Sequence, residues 1–421
     1  MNAIFVIIFV LAYAAIALEH PLKVNKSAPA LIGAGLLWTV YALNAGNVNE
    51  QLNETVAGAA QIIFFLMGAM TIVEVIDAHD GFDIITEKIK TTKMVTLLWL
   101  VGFVTFFLSA VLDNLTTTIV MISVVRKLLA QREDKLFFAG IIVIAANAGG
   151  AWSPLGDVTT TMLWIGGQIT ALAIIKGLFI PSLINMVVPL LVVSLMLKGK
   201  QIDAPKTKTS NALQYQTNAT EKKIIFFTGL IALSAVPAFK TVTNLPPFMG
   251  ILFALGIIWL LSEMLHRHKN DNEKQRLTLV AALQRIDMAS LVFFIGILLA
   301  VAVLEHAHIL TALARWLDKS IGNQAIIVTL FGLASAIVDN VPLVAASMGM
   351  YPLTQYPTDS FIWEFLAYAA GTGGSILIIG SAAGVAAMGL EKIEFFWYVR
   401  KFSLLALIGY LSGAAAYVFL S

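Results

Sequence analysis

The chain has 421 residues, 59% hydrophobic and 12% charged, with a net charge of +2. Soluble domains carry about 25% charged residues, so the composition excludes a water-soluble globular protein, and the near-zero charge argues against a nucleic-acid partner. No cysteine is present, which excludes disulfides, thiol chemistry and cysteine-bound metal.

Repeated apolar stretches of membrane-crossing length read as an all-α polytopic membrane protein, because lipid leaves backbone groups no partner outside helices or closed barrels. The first element, at about 3–18, lacks a basic n-region and a small-residue cleavage site, so it reads as a span and not a signal peptide. Spans follow at about 29–46 and 56–77. Segment 94–125 carries "SAVLDNLTTTIV" in its middle. It is too long for one span and short for two, and fits a re-entrant hairpin whose tip is Asp113-Asn114. The next span, 137–166, is interrupted by "NAGGAWSPLGD". After a span at 177–197 comes the polar linker 200–222, which halves the chain. The second half gives spans at 224–240, 247–265 and 290–305, a second hairpin at 324–350 around "SAIVDNVPLVAAS", a span 361–390 broken at "GTGGSILIIGS", and a last span at 402–420. In all, about ten spans and two hairpins are expected, two of the spans being broken.

With the N-terminus outside and both hairpins returning to their own side, all of the 27 lysines and arginines fall inside except Lys176, Lys240, Arg315 and Lys319. This bias orients the chain and places both termini outside. The two halves share an order of motifs: "FFLMGAMTIVEVID" with "FFIGILLAVAVLE", the two Ser-Ala-x-x-Asp-Asn tips, then the two glycine-broken spans. Residues 1–199 and 223–421 therefore read as repeats of opposite orientation. Such a pattern is the signature of a secondary transporter with its site near the midplane.

The site candidates follow from the chemistry of an ion in lipid. A carboxylate at mid-membrane costs several kcal/mol unless a proton or a cation neutralises it. One acidic group can hold H⁺ or Na⁺ in turn, and with alternating access that competition is antiport. Hard cations take oxygen ligands. The candidates are Asp113 and Asn114, with Thr116, Thr117 and Thr118 after them; Asn147, Ser153 and Asp157 in the first break; and Ser335, Asp339, Asn340, Thr372 and Ser375 in the second half. Asp113, Asp157 and Asp339 are the expected Na⁺ carboxylates. Pro154 and Pro342 are read as helix terminators. The alternative for each aspartate is a helix cap at a loop tip.

A second cluster, "EVIDAHDGFD" with Glu74, Asp77 and His79, has a counterpart in "EHAH" with Glu305, His306 and His308. These are candidate proton-relay or pH-sensing groups, or solvated interfacial ones. The stretches after them, "IITEKIKTTK" and "LTALARWLDKS", read as amphipathic helices lying along the membrane.

The Asp-Asn hairpins, "IDAHDGF" and "NAGGAWSPLGDVTT" resemble the NhaD-type sodium/proton antiporters of the ion transporter superfamily over nearly the whole chain. The resemblance implies exchange of Na⁺ or Li⁺ for H⁺ across a bacterial inner membrane, by a homodimer with an elevator-like transport unit, without enzymatic activity or a resident cofactor. It carries Asp113, Asn114, Asp157, Asp339 and Asn340 over as functional positions. Ser381 stands where the first half has Asp157, so the half-sites are not expected to be equivalent. The rival readings are a sodium-coupled dicarboxylate, citrate or sulfate symporter, and an arsenite-type exporter. An anion site favours hydroxyls, amides and helix N-termini, which tip aspartates oppose.

Overall fold

The structure is a computed structural model that describes residues 2–86, 89, 91–202, 218–270, 274, 276–337 and 339–421. Most of the 200–222 linker lies outside the described residues. The fold is all-α, and nine helices among the described residues are long and apolar enough to cross a membrane.

In chain order the helices are α1 (Asn2–Ala17), α2 (Ser27–Ala45), α3 (Asn49–Ala78), α4 (Met94–Leu112), α5 (Asn114–Leu128), α6 (Arg132–Ala151), α7 (Val158–Ile165), α8 (Ala171–Met196) and α9 (Ala219–Thr243). The second half has α10 (Pro247–His266), α11 (Leu279–Arg285), α12 (Met288–His306), α13 (Ile309–Ile321), α14 (Gln324–Ser335), α15 (Asn340–Met350), α16 (Phe361–Gly373) and α17 (Ala382–Glu391). The last, α18, runs over Phe395–Leu420.

The helices break where the polar text falls. Asp113 separates α4 from α5, with φ 82° and ψ 159°. That backbone region belongs to glycine, and holding aspartate there costs roughly 1–3 kcal/mol. Residues 152–157 separate α6 from α7, and 374–381 separate α16 from α17. Pro342 does not terminate a helix. It lies in the first turn of α15, where its missing N–H is one of those without an intrahelical partner anyway. The arms of the two hairpins differ in length. At 19 residues α4 is long enough to cross on its own, whereas α14 and α15 have 12 and 11 residues. Of the two amphipathic stretches, the second forms α13, with Leu313 and Trp316 exposed. The first forms a single turn at Asp83–Thr86, and residues 87, 88 and 90 lie outside the described residues.

Packing sorts the helices into two groups. One is built on α2 against α12, α3 against α10 and α12, α9 against α10, and α1 against α2. Here Ser27 Oγ donates to Ala289 O at 2.7 Å and Trp38 Nε1 to Leu299 O at 2.9 Å. The other group joins both hairpins and both broken helices to α8 and α18. The groups meet mainly where α12 packs on α15, α3 on α7 and α9 on α4. The hairpin tips and breaks face one another within the second group.

Candidate functional site

Each half closes its hairpin onto its broken helix with the same bond. Ser109 Oγ donates to Ala146 O at 2.6 Å, and Ser335 Oγ donates to Ala370 O at 2.8 Å. The halves also interlock, because α5 packs on α17 and α15 on α7. The N-termini of four helices thus converge on one buried patch of polar side chains. Asn114, Asn147, Asp157, Asn340, Ser375 and Ser381 are all buried there.

Asp157 is the hub. Its Oδ2 accepts from Asn114 Nδ2 at 2.6 Å, and Asn340 Nδ2 approaches its two oxygens at 3.4 and 3.5 Å. Its Oδ1 accepts from Thr159 N at 2.9 Å and Thr159 Oγ1 at 2.7 Å. Asn114 donates also to Asn147 Oδ1 at 3.0 Å, and Asn147 Nδ2 donates to Ser375 Oγ at 2.8 Å and Ser381 Oγ at 2.9 Å. Side chains of both halves therefore share one hydrogen-bond network around a single carboxylate.

The other two aspartates flank the hub with partners of their own. Asp113 accepts from Thr116 N and Thr116 Oγ1, both at 2.8 Å. Asp339 accepts from Val341 N at 3.1 Å and takes the Lys26 ammonium at 2.7 Å. All three aspartates cap helices, as the capping alternative requires. Capping uses lone pairs and leaves the charge in place. Among the described residues no three His, Asp or Glu side chains are grouped to hold a metal ion.

Of the remaining candidates, Thr117 and Thr118 bury hydroxyls that find no partner among the described residues. Thr372 Oγ1 bonds back to Tyr368 O at 2.6 Å within α16, as membrane hydroxyls commonly do. Ser153 Oγ donates to Ala110 O at 2.5 Å. Sequence reading missed Lys26 and Thr159. Thr159 is legible two residues past a capping aspartate, whereas in the sequence Lys26 reads only as a loop charge.

Glu74 pairs with Arg285 at 3.0 Å and lines a cavity of about 320 Å³ with Asp77, Asp80, Asp83, Thr116, Lys127 and Asp287. A second cavity of about 280 Å³ holds Lys26, Asp339 and Ser381, and shares Leu115 and Asp287 with the first. At the far end of α12, Glu305 and His308 are exposed, and His306 stacks 6.2 Å from Tyr41.

The family model described as "Citrate transporter" matches residues 13–373. "Sodium/proton antiporter 1" of Arabidopsis thaliana is 51% identical over 98% of this chain and 71% of its own length. "Sodium/proton antiporter 2" of the same plant is 48% identical over 98% of both. The "Na(+)/H(+) antiporter NhaD" of Vibrio cholerae is 31% identical over 99% of this chain and 91% of its own. The chain belongs to the NhaD-type sodium/proton antiporter family. As a member it is a multi-pass membrane protein. With relatives in a plant, the family is not confined to the bacterial inner membrane expected from the sequence.

His79 of this NhaD-type chain follows α3 directly and is fully buried, with its ring 4.9 Å from that of His266 and Nδ1 2.6 Å from Val75 O. Burial pushes its pKa down from 6.5 to about 4, aided by His266 and Lys269. Its ring is therefore neutral at physiological pH and titrates in acid. Because the folded value lies below the unfolded one, its contribution to stability is complete above pH 6.5 and is lost as pH falls toward 4. That loss reaches about 3 kcal/mol. Thermal unfolding followed between pH 4 and 8 should show this decline in the wild type and a flatter curve in His79→Gln; equal slopes would show that His79 titrates alike in both states.

Proposed function

We propose that this chain exchanges Na⁺ or Li⁺ for H⁺ across its membrane by alternating access, with cation and proton competing for Asp157 and the tip aspartates. The observation that carries this reading is the donation of Asn114 and Asn340, from the two hairpin tips, to the one carboxylate of Asp157. A buried carboxylate needs a counter-charge. Here amides and hydroxyls surround it, and an amide can turn its oxygen to an arriving cation. Thr117 and Thr118, on the helix that Asn114 begins, bury hydroxyls without a partner among the described residues. A proton on Asp157 satisfies the same charge requirement, which makes the two ions exclusive.

The matched serine–carbonyl bonds support the reading of the halves as a repeat of inverted orientation. The division into two helix groups supports an elevator-like motion of the hairpin group against the other. Homodimerisation is part of the proposal through family resemblance. The anion-symport reading has the described family model in its favour, but carboxylates stand at both hairpin tips and in the first break, and the nearby ammonium of Lys26 is already paired.

The test is proton movement in proteoliposomes reported by an entrapped pH dye. Na⁺ or Li⁺ should drive it; K⁺, succinate and citrate should not. Uptake of citrate or succinate with Na⁺, and no proton movement, would establish the symporter instead. In the same assay Asp113→Asn and Asp339→Asn should reduce exchange to background with membrane insertion intact. A wild-type rate in either variant removes that residue from the mechanism.

A further inference from the structure

The tip aspartates occupy equivalent positions in the two halves, but their partners differ in charge. Asp113 accepts from neutral groups, Thr116 N and Thr116 Oγ1. Asp339 is held by the ammonium of Lys26, 313 residues away in sequence. That ammonium also lies 4.3 Å from the centre of the Phe293 ring, and Glu19, Asp287 and Tyr13 line the same cavity. Lys26 and Asp339 belong to different bodies. Lys26 immediately precedes α2 in the first helix group, whereas Asp339 is the hairpin tip of the second.

We propose that Lys26 is a built-in competitor ion for the Asp339 half-site: its ammonium occupies the carboxylate until a transported cation or a proton displaces it. This deepens the antiport reading and rests on it. Three consequences follow from charge and position. An empty, ionised Asp339 is never uncompensated. A cation reaching Asp339 must exchange with the ammonium, whereas among the described residues no lysine or arginine pairs with Asp113 or Asp157. Finally, the pair clasps one helix group to the other, and neutralising Asp339 by Na⁺ or H⁺ opens the clasp. A transport unit carrying neither ion stays fastened, which is what coupled exchange requires. A merely structural ion pair would stabilise the fold without affecting Na⁺ affinity.

The absence of native cysteine permits a test within one folded protein. Lys26→Cys is purified as the full chain, and equilibrium binding of radioactive Na⁺ is measured at alkaline pH. The side chains of Lys26 and Asp339 are 26% and 22% exposed, so a small thiol reagent can reach the position. Removing the ammonium should tighten Na⁺ binding about tenfold, within the range of measured site couplings. Attaching an aminoethyl group through a mixed disulfide should restore the wild-type Kd, an uncharged ethyl group should not, and reduction should reverse the effect. Asp339→Asn in the Lys26→Cys background should abolish the tightening. Lys26→Met, which keeps an apolar stem against Phe293, should behave as unmodified Lys26→Cys does. Unchanged or weaker Na⁺ binding in both Lys26 variants overturns the inference and leaves the antiport reading standing. A wild-type protein that binds neither Na⁺ nor Li⁺ overturns both.

Discussion

Replacing Asp157 with asparagine should abolish exchange, lowering the rate at sub-saturating Na⁺ by about 100-fold or more, in a protein that still folds. Na⁺ at a contact distance of about 2.4 Å from a carboxylate gains roughly 7 kcal/mol at an effective dielectric of about 20, before desolvation. A net remainder of only about 3 kcal/mol corresponds to that factor. The fold should survive because the asparagine oxygen can still accept from Thr159 N and Thr159 Oγ1, the two bonds that start α7. What changes is the opposite edge. The oxygen that accepts from Asn114 at 2.6 Å becomes an amide nitrogen, so donor faces donor, at a cost of about 1–3 kcal/mol. Asp157→Ser is the companion variant, since it gives the first half the residue the second half has at Ser381. It too should be inactive, because no hydroxyl titrates or carries charge here. The measurements are the dye assay and thermal unfolding side by side. Asp157→Asn working at more than about a tenth of the wild-type rate would move the ion to another carboxylate.

Much of this site was legible in the sequence because lipid makes polar residues conspicuous. Asp113-Asn114 and Asp339-Asn340 interrupt apolar text, and a carboxylate there needs a reason. Asn147 and Asp157 were legible from the glycine-rich break that holds them. What sequence could not give is pairing across the fold. Both tip asparagines, 43 and 183 residues from Asp157 in sequence, donate to it; no local pattern encodes which of several aspartates becomes the hub. Lys26 escaped for a related reason. Beside a span, a lysine satisfies the orientation rule, and that sufficient explanation hid a second one. Thr372 has a local partner that its candidate role did not anticipate. A threonine on a helix has a carbonyl four residues back within reach, and Thr372 donates to it, which leaves its oxygen lone pairs unused by that bond. The lengths of α4 and α14 were also not recoverable, since apolar runs show where a helix can lie and not where it enters the membrane.

Alanine at Gly149 or at Gly373 should be among the most damaging single-methyl changes in the chain, and the two should be damaging alike. A Cβ on Gly149 would lie 2.2 Å from Phe106 O, and one on Gly373 would lie 2.0 Å from Gly332 O. Both obstacles are backbone, so no rotamer change relieves them, and each hairpin arm must move off its broken helix by about 1 Å. That motion would stretch the Ser109–Ala146 and Ser335–Ala370 bonds, now 2.6 and 2.8 Å, to lengths at which they no longer count as hydrogen bonds. Overpacking plus a stranded buried hydroxyl amounts to about 4 kcal/mol for each variant. Small residues at helix crossings serve this close approach in membranes, where lipid offers no hydrophobic drive to hold helices together. Gly256→Ala is the control, because nothing lies within 4 Å of its added methyl, and alanine favours the helix. Tryptophan fluorescence of the purified protein during heating reads all three variants. The control should match the wild type, and Gly149→Ala and Gly373→Ala should unfold at clearly lower temperature and lose exchange. If only one of them is affected, the two crossings are not equivalent, and the case for a repeated hairpin-and-break unit loses its packing support.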